Sequence, residues 1–213
     1  MITLANKLAA YLGRELGKSE DEIEVMAYGF IGLIQMLCIY LITSVISLIF
    51  GFFWEATVVF LSVGFLRRLT GGAHSKGIYN CLVYSVVFIC LISCLARFVF
   101  SDPDLSFYVA VGCTWIFVFG YIIIPVKAPI APPNKPCRSE EKRKRLKHSA
   151  LVVLTVFAVI VTLGFTLRFE MPRFYSLTLS LALSTFWQLF MMTPMGFALI
   201  SLVDGTFGKK TKE

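Results

Sequence analysis

Residues 27–50 read AYGFIGLIQMLCIYLITSVISLIF, an apolar run with no charged residue. About 20 helical residues cross the hydrocarbon core of a bilayer. Backbone in lipid must satisfy its own hydrogen bonds, so such a run is a membrane helix. Five further apolar runs lie at 52–66, 82–96 with an extension to Phe100, 105–124, 149–167 and 174–192. The apolar pattern continues past Pro194 to Val203, and the run at 52–66 is shorter and carries Glu55. A strand reading would need alternating segments of about ten residues, which are absent. The chain therefore reads as one all-α integral-membrane domain over residues 1–213, polytopic, with six transmembrane helices and an N-terminal amphipathic helix.

Composition agrees. Hydrophobic residues make up 57% of the 213 and charged residues 15%; a soluble domain is about a quarter charged. The placement of charge predicts an orientation. The segments before the first run, between the second and third, between the fourth and fifth, and after the sixth hold 17 of the 20 Lys and Arg. The opposite side holds Arg97, Arg168 and Arg173. Positive residues stay in the cytoplasm, which predicts that both termini lie on that side of a cell membrane. The net charge of +7 then reflects topology and attraction to anionic lipid, and nucleic acid is not expected as a partner.

Residues 1–18 lack the continuous apolar core and cleavage site of a signal peptide. Leu4, Leu8, Tyr11, Leu12 and Leu16 instead form a stripe at helical spacing. This predicts a helix lying on the inner leaflet, or one packed on the protein's own loops. Ser19-Glu20-Asp21-Glu22 reads as a capping box that starts the next helix. Cys38, Cys90, Cys94 and Cys113 fall inside apolar runs, where cysteine acts as a small hydrophobe. Cys81 and Cys137 fall on the reducing side, so no disulfide is expected. His74, Cys81, Cys137 and His148 lack the paired spacings of a zinc site. Neither a metal nor another cofactor is expected.

Residues 125–136 hold five prolines. Proline lacks the amide donor and fixes φ, so this stretch is expected to be extended rather than helical. A basic, helix-prone run from Glu140 to Lys147 follows it. The loop at 125–148 reads either as a stop signal anchoring the fifth run or as a landing surface for an acidic peptide.

The segment at 67–81, RRLTGGAHSKGIYNC, holds one of the chain's two histidines. His74 and Cys81 make a plausible base and nucleophile, or two residues that merely border a helix. Seven residues of straight helix would part their Cα atoms by about 10.5 Å, too far for proton transfer. A working pair requires the segment to fold back, and Gly71, Gly72 and Gly77 are the residues that would allow it. Cys81 then falls near a helix N-terminus, which favours a thiolate.

Arg67, Gly71-Gly72, His74, Cys81 and Ser85 match R-x-x-x-G-G-x-H-x(6)-C-x(3)-S, the motif of the accessory gene regulator protein B (AgrB) family of quorum-sensing membrane peptidases. Ser19-x-Asp21 with Tyr28-Gly29 resembles the start of that family. Ala128-Pro129 and Asn134-Lys135-Pro136 are similar to its central loop. The resemblance covers nearly the whole chain. It implies a cysteine endopeptidase that removes the acidic C-terminal tail of a small amphipathic propeptide. An enzyme thioester then closes to a thiolactone or lactone signal peptide. Carried over, Cys81 is the nucleophile and His74 the base. Arg67, Gly71, Gly72, Ser85, Asn134 and Lys135 would support the site or bind substrate. The propeptide, the lipid bilayer and a second copy of the chain in a homodimer are the expected partners. The third catalytic group stays open among Asn80, Asn134, Ser85 and Asp204. Glu55 sits at the wrong depth. The oxyanion hole is expected from backbone amides between Gly77 and Cys81. A peptide exporter and a non-enzymatic scaffold are the alternatives; both predict that Cys81→Ala is harmless.

Overall fold

The computed structural model describes residues 1–73, 75, 77–130 and 139–207, without the side chains at 103, 206 and 207. The expectations for His74, Asn134, Lys135 and Cys137 lie outside the described residues. The described chain is helical, in the order α1 (Ile2–Glu15), α2 (Glu20–Phe50), α3 (Phe53–Thr70), α4 (Ile78–Phe98), a 3₁₀ turn at Pro103–Leu105, α5 (Ser106–Lys127), α6 (Glu140–Thr166), α7 (Pro172–Phe190) and α8 (Pro194–Phe207). No strand occurs among the described residues beyond one isolated bridge.

The N-terminal helix forms as expected and turns back on α2. Its small residues Ala5, Ala9 and Gly13 are buried, while Leu4, Leu8, Tyr11, Leu12 and Leu16 are exposed. The reason is geometric: small side chains let two helices approach closely, which leaves the large apolar stripe pointing outward. The capping box is present. Ser19 Oγ accepts from the Glu22 amide, and Glu22 Oε2 accepts from the Ser19 amide at 3.1 Å.

Four helices, α2, α4, α5 and α6, are long and apolar enough to cross a membrane. Helices α7 and α8 together make a fifth candidate, bent by 84° at their break. The expected count of six is therefore met only in part. The exception is α3. Its 18 residues span about 27 Å at 1.5 Å each, just under the core thickness, and they include Glu55, Arg67 and Arg68.

What α3 lacks in hydropathy it makes up in burial. It touches α2, α4, α6 and α7, and packs most extensively on α7. One apolar cluster joins α2, α3 and α4 around Ile39, Val59 and Ile89. Another joins α5, α6 and α7 around Phe117, Leu154 and Leu179. The α3–α7 contact unites them. It is built from small polar residues, which allow close approach where lipid gives no hydrophobic drive. Ser62 and Ser184 hydroxyls meet at 2.6 Å across it. Ser180 and Thr185 donate to carbonyls of their own helix at 3.0 and 2.8 Å, so neither hydroxyl is left unsatisfied in the interior.

One expectation about the loops needs adjustment. Residues 125–127 are helical: α5 runs through Pro125 to Lys127. The missing amide of Pro125 forfeits one bond, to the Tyr121 carbonyl, and the helix ends within the next turn. The Lys147 ammonium donates to the Pro125 carbonyl from the neighbouring helix. The basic run from Glu140 is helical as expected and forms the first part of α6 itself, continuous with the membrane helix.

Candidate active site

Thr70 closes α3 with its hydroxyl on the Leu66 carbonyl at 2.8 Å. The chain then leaves helical geometry through Gly71 at φ 69° and Gly72 at φ 140°. Both angles favour glycine. Space demands it as well: a Cβ on Gly71 would stand 2.0 Å from the Ile130 carbonyl oxygen. That crowding arises because the stretch after α5 runs beside Gly71 as a parallel bridge, with the Ile130 amide donating to the Thr70 carbonyl at 2.8 Å. The proline loop and the paired glycines thus hold each other.

The far side of the segment is fixed by the end of α7. The Gln188 amide nitrogen donates to Thr70 Oγ1 at 2.9 Å and to the Gly71 carbonyl at 2.7 Å. The Ala73 amide donates to the Met191 carbonyl at 3.0 Å. Arg67 Nη2 donates to the Ala73 carbonyl. Gln188, Thr70 and Ala73 are fully buried. Each such bond is worth about 1 kcal/mol net, and leaving a buried partner unsatisfied costs more. Gly71 and Gly72 turn the chain out of α3; the fold-back expected between His74 and Cys81 depends on His74, outside the described residues. Gly77, at a φ of −91° that is open to any residue, serves as the N-cap of α4.

Cys81 stands in the first turn of α4, half-buried, with its amide on the Gly77 carbonyl at 2.9 Å. The Gly77 amide donates to Ser75 Oγ at 3.3 Å. Those two ends of the expected oxyanion hole are therefore engaged within the turn. Gln35 of α2 braces the same turn, donating to the Ile78 carbonyl at 3.2 Å. Ser85, one turn beyond Cys81, shares its face. Arg67, Cys81 and Ser85 all line one cavity of about 230 Å³ between α2, α3, α4 and α7. Most of its remaining wall is apolar, including Met36, Val59, Phe60, Phe88 and Trp187. Phe88 and Trp187 stack at 3.9 Å between ring centroids.

The structure thus gathers Cys81, Arg67, Ser85 and the glycine pair at one end of the bundle. It separates Glu55 from them. Glu55 lies in the first turn of α3, buried, where it accepts from Ser176 Oγ at 2.6 Å and pairs with Arg97 at 3.5 Å. Asp204, on α8, accepts from Ser75 Oγ, which puts a carboxylate against the residue that follows His74. Arg67 does more than anchor the segment by charge, since it ties Ala73 to α3.

Sequence reasoning passed over Gln35 and Gln188. A signal was available: they are the chain's two glutamines, and both fall inside apolar runs. A polar side chain at membrane depth is a functional candidate by default.

The sequence profile of the accessory gene regulator B family matches residues 5–192. An AgrB-like protein of Clostridium perfringens strain SM101 is 30% identical over 209 residues, covering 97% of each chain. A second one, from strain 13 of that species, is 29% identical over 97% of each chain. An AgrB-like protein of Halalkalibacterium halodurans is 27% identical over 76% of this chain and 75% of its own. No solved structure matches. With the family profile running from α1 to the end of α7, and relatives aligned over almost the full length, this chain belongs to the accessory gene regulator B family, the membrane regulators of quorum sensing.

Proposed function

We propose that this protein is a membrane-embedded cysteine endopeptidase. It removes the C-terminal tail of a small signal propeptide and closes the remainder into a thiolactone or lactone. The observation that supports this most is the placement of Cys81. It stands in the first turn of α4, on the wall of a largely apolar cavity that Arg67 also lines.

The reaction follows in two balanced steps. His74 takes the Cys81 proton, and the sulfur attacks the scissile carbonyl. The peptide bond breaks, the tail leaves as an amine carrying that proton, and the acyl part stays on Cys81 as a thioester. A thiol or hydroxyl within the peptide then attacks the thioester, its proton passing to the Cys81 sulfur as the ring closes. Peptide-to-thiolactone conversion is uphill in water. The enzyme thioester preserves the activation, provided water is kept away.

In this reading α3 and α7 also cross the bilayer, giving six crossings with both termini and the site on the cytoplasmic side. The α1 stripe lies on the inner leaflet. Arg68 and the basic start of α6 receive the acidic tail of the propeptide, with Asn134 and Lys135 nearby in the chain. A homodimer is the expected assembly.

The test is the covalent intermediate. A precursor whose internal nucleophile is replaced by Ala cannot cyclise, so its acyl adduct on Cys81 should accumulate. Intact mass should detect it, and neutral hydroxylamine should release it. Full cleavage by Cys81→Ala would sink the peptidase reading in favour of an exporter or scaffold.

A further inference from the structure

The cavity beside Cys81 is polar at one end only. Along α4 its wall runs from Cys81 to Ile92, eleven residues, or about 16 Å at helical rise. On α3 it runs from Arg67 back to Val59. The two helices are antiparallel, so Arg67 and Cys81 sit together at the same end. The ionisable lining residues are Arg67, Cys81 and Tyr84. The Tyr84 hydroxyl is engaged with the Met191 sulfur at 3.5 Å. Away from that end the wall is aliphatic and aromatic. An apolar cavity of about 150 Å³ stays dry and holds a benzene ring. The present one, at about 230 Å³, has room for one large side chain.

A nucleophile on the wall of such a cavity constrains what it attacks. The carbonyl carbon that bonds to sulfur is joined directly to the Cα carrying the side chain. Once the thioester forms, that side chain must lie within a few bonds of Cys81. The leaving tail is polar, and burying it unpaired in an apolar space would be costly.

We propose that this cavity is the acyl-side specificity pocket: it selects a large apolar side chain, aromatic or branched aliphatic, on the residue whose carbonyl Cys81 attacks. The tail then departs past Arg67. The pocket also answers the water problem, since a seated side chain fills the space beside the thioester. This inference rests on the peptidase reading, and its test separates the two.

The probes are thiophenyl esters of N-acetyl-phenylalanine and N-acetyl-glycine, offered to the full-length protein in bilayer nanodiscs. Cys81 thiolate attacks the ester carbonyl, thiophenolate leaves, and the acyl group stays on Cys81. No peptide bond is cut, so the measurement does not depend on amide cleavage. The rate ratio of phenylalanyl to glycyl ester at Cys81 is read by mass spectrometry, with free glutathione as reference. The expected ratio exceeds that of glutathione by about tenfold or more, the size of hydrophobic-pocket discrimination. Gly64 also lines the cavity, and a Cβ there would meet only Met36 Cε at 4.0 Å. Gly64→Leu should fill the space and bring the ratio down toward the glutathione value. Phe60→Ala should enlarge it and raise the rate for the 2-naphthylalanyl ester relative to the phenylalanyl ester. A wild-type ratio equal to that of glutathione would overturn the pocket, as would ratios unmoved by both substitutions. A high ratio in a protein that cuts no peptide would uphold an apolar acyl pocket while removing the peptidase reading.

Discussion

The Gln188 amide donates to both the Thr70 hydroxyl and the Gly71 carbonyl, at 2.9 and 2.7 Å. It thereby joins the last turn of α7 to the loop that leads to His74. The Gln188 carbonyl oxygen is buried with no partner in the structure. One side chain so placed sets the position of the paired glycines without touching Cys81.

Replacing Gln188 by Leu should leave the Gly71 carbonyl and Thr70 hydroxyl short of a donor, costing about 2 kcal/mol. The loss should appear mainly in kcat, because the loop must hold the base in place in the transition state. Gln188→Glu reverses the polarity of the contact and should be at least as damaging. A kcat within twofold of wild type in both variants would remove Gln188 from the positioning role.

Gly71→Ala places a methyl where the Ile130 carbonyl already stands, at a φ that L-residues rarely adopt. The local bridge to Ile130 should open, at a cost of at least about 2 kcal/mol. Limited proteolysis should then cut the 125–139 region faster, while the helical circular dichroism stays unchanged. An unaltered digestion rate would contradict the bridge.

Glu55 and Arg97 should behave asymmetrically. Arg97→Ala strips a buried carboxylate of its ion-pair partner and leaves it the Ser176 hydroxyl, whereas Glu55→Gln keeps a polar group in the same place. The arginine side chain is 37% exposed, so water offsets part of the loss. Arg97→Ala should cost about 2 kcal/mol, below the range for a fully buried pair. In detergent it should lower the Tm more than Glu55→Gln does. Adding Glu55→Gln to Arg97→Ala should recover part of the loss. Additive losses in the double variant would argue against a coupled pair.

On the peptidase reading, His74→Ala should make the reaction depend on bulk hydroxide. Without a base, the thiol proton must pass to bulk hydroxide, whose concentration grows tenfold per pH unit. The logarithm of kcat/KM for the variant should rise with pH at a slope near one and approach the wild-type rate at the alkaline end. A flat profile at reduced rate would assign His74 some duty other than removing the thiol proton.

The helices were legible from the sequence because each long apolar run announces itself. The Ser19 box set the start of α2, and the glycine pair announced its turn. Length and hydropathy do not by themselves mark α3 as a span, for a physical reason. A helix wrapped by four others does not need lipid-facing hydropathy, and its charges at Glu55 and Arg67 find protein partners. The contact of Gln188 with Gly71 was hidden because it joins residues 117 positions apart; no local pattern encodes such a pairing. Pro125 misled because proline marks the end of a helix only to within a turn. The outward-facing stripe on α1 was readable, but its partnering through Ala5, Ala9 and Gly13 required knowing that α2 lies alongside.

The clamp between Thr70 and Gln188 has a consequence for synthesis. The two residues are 118 positions apart, so a ribosome working at about 5–20 residues per second makes the second some 6–24 seconds after the first. Through that interval the nascent chain holds its nucleophile but not the brace behind the loop before it. Asp204 arrives later still. On the proposed peptidase reading, competence would arrive only as the final helices insert, so stalled or truncated copies would be inert protein rather than a loose protease in the membrane.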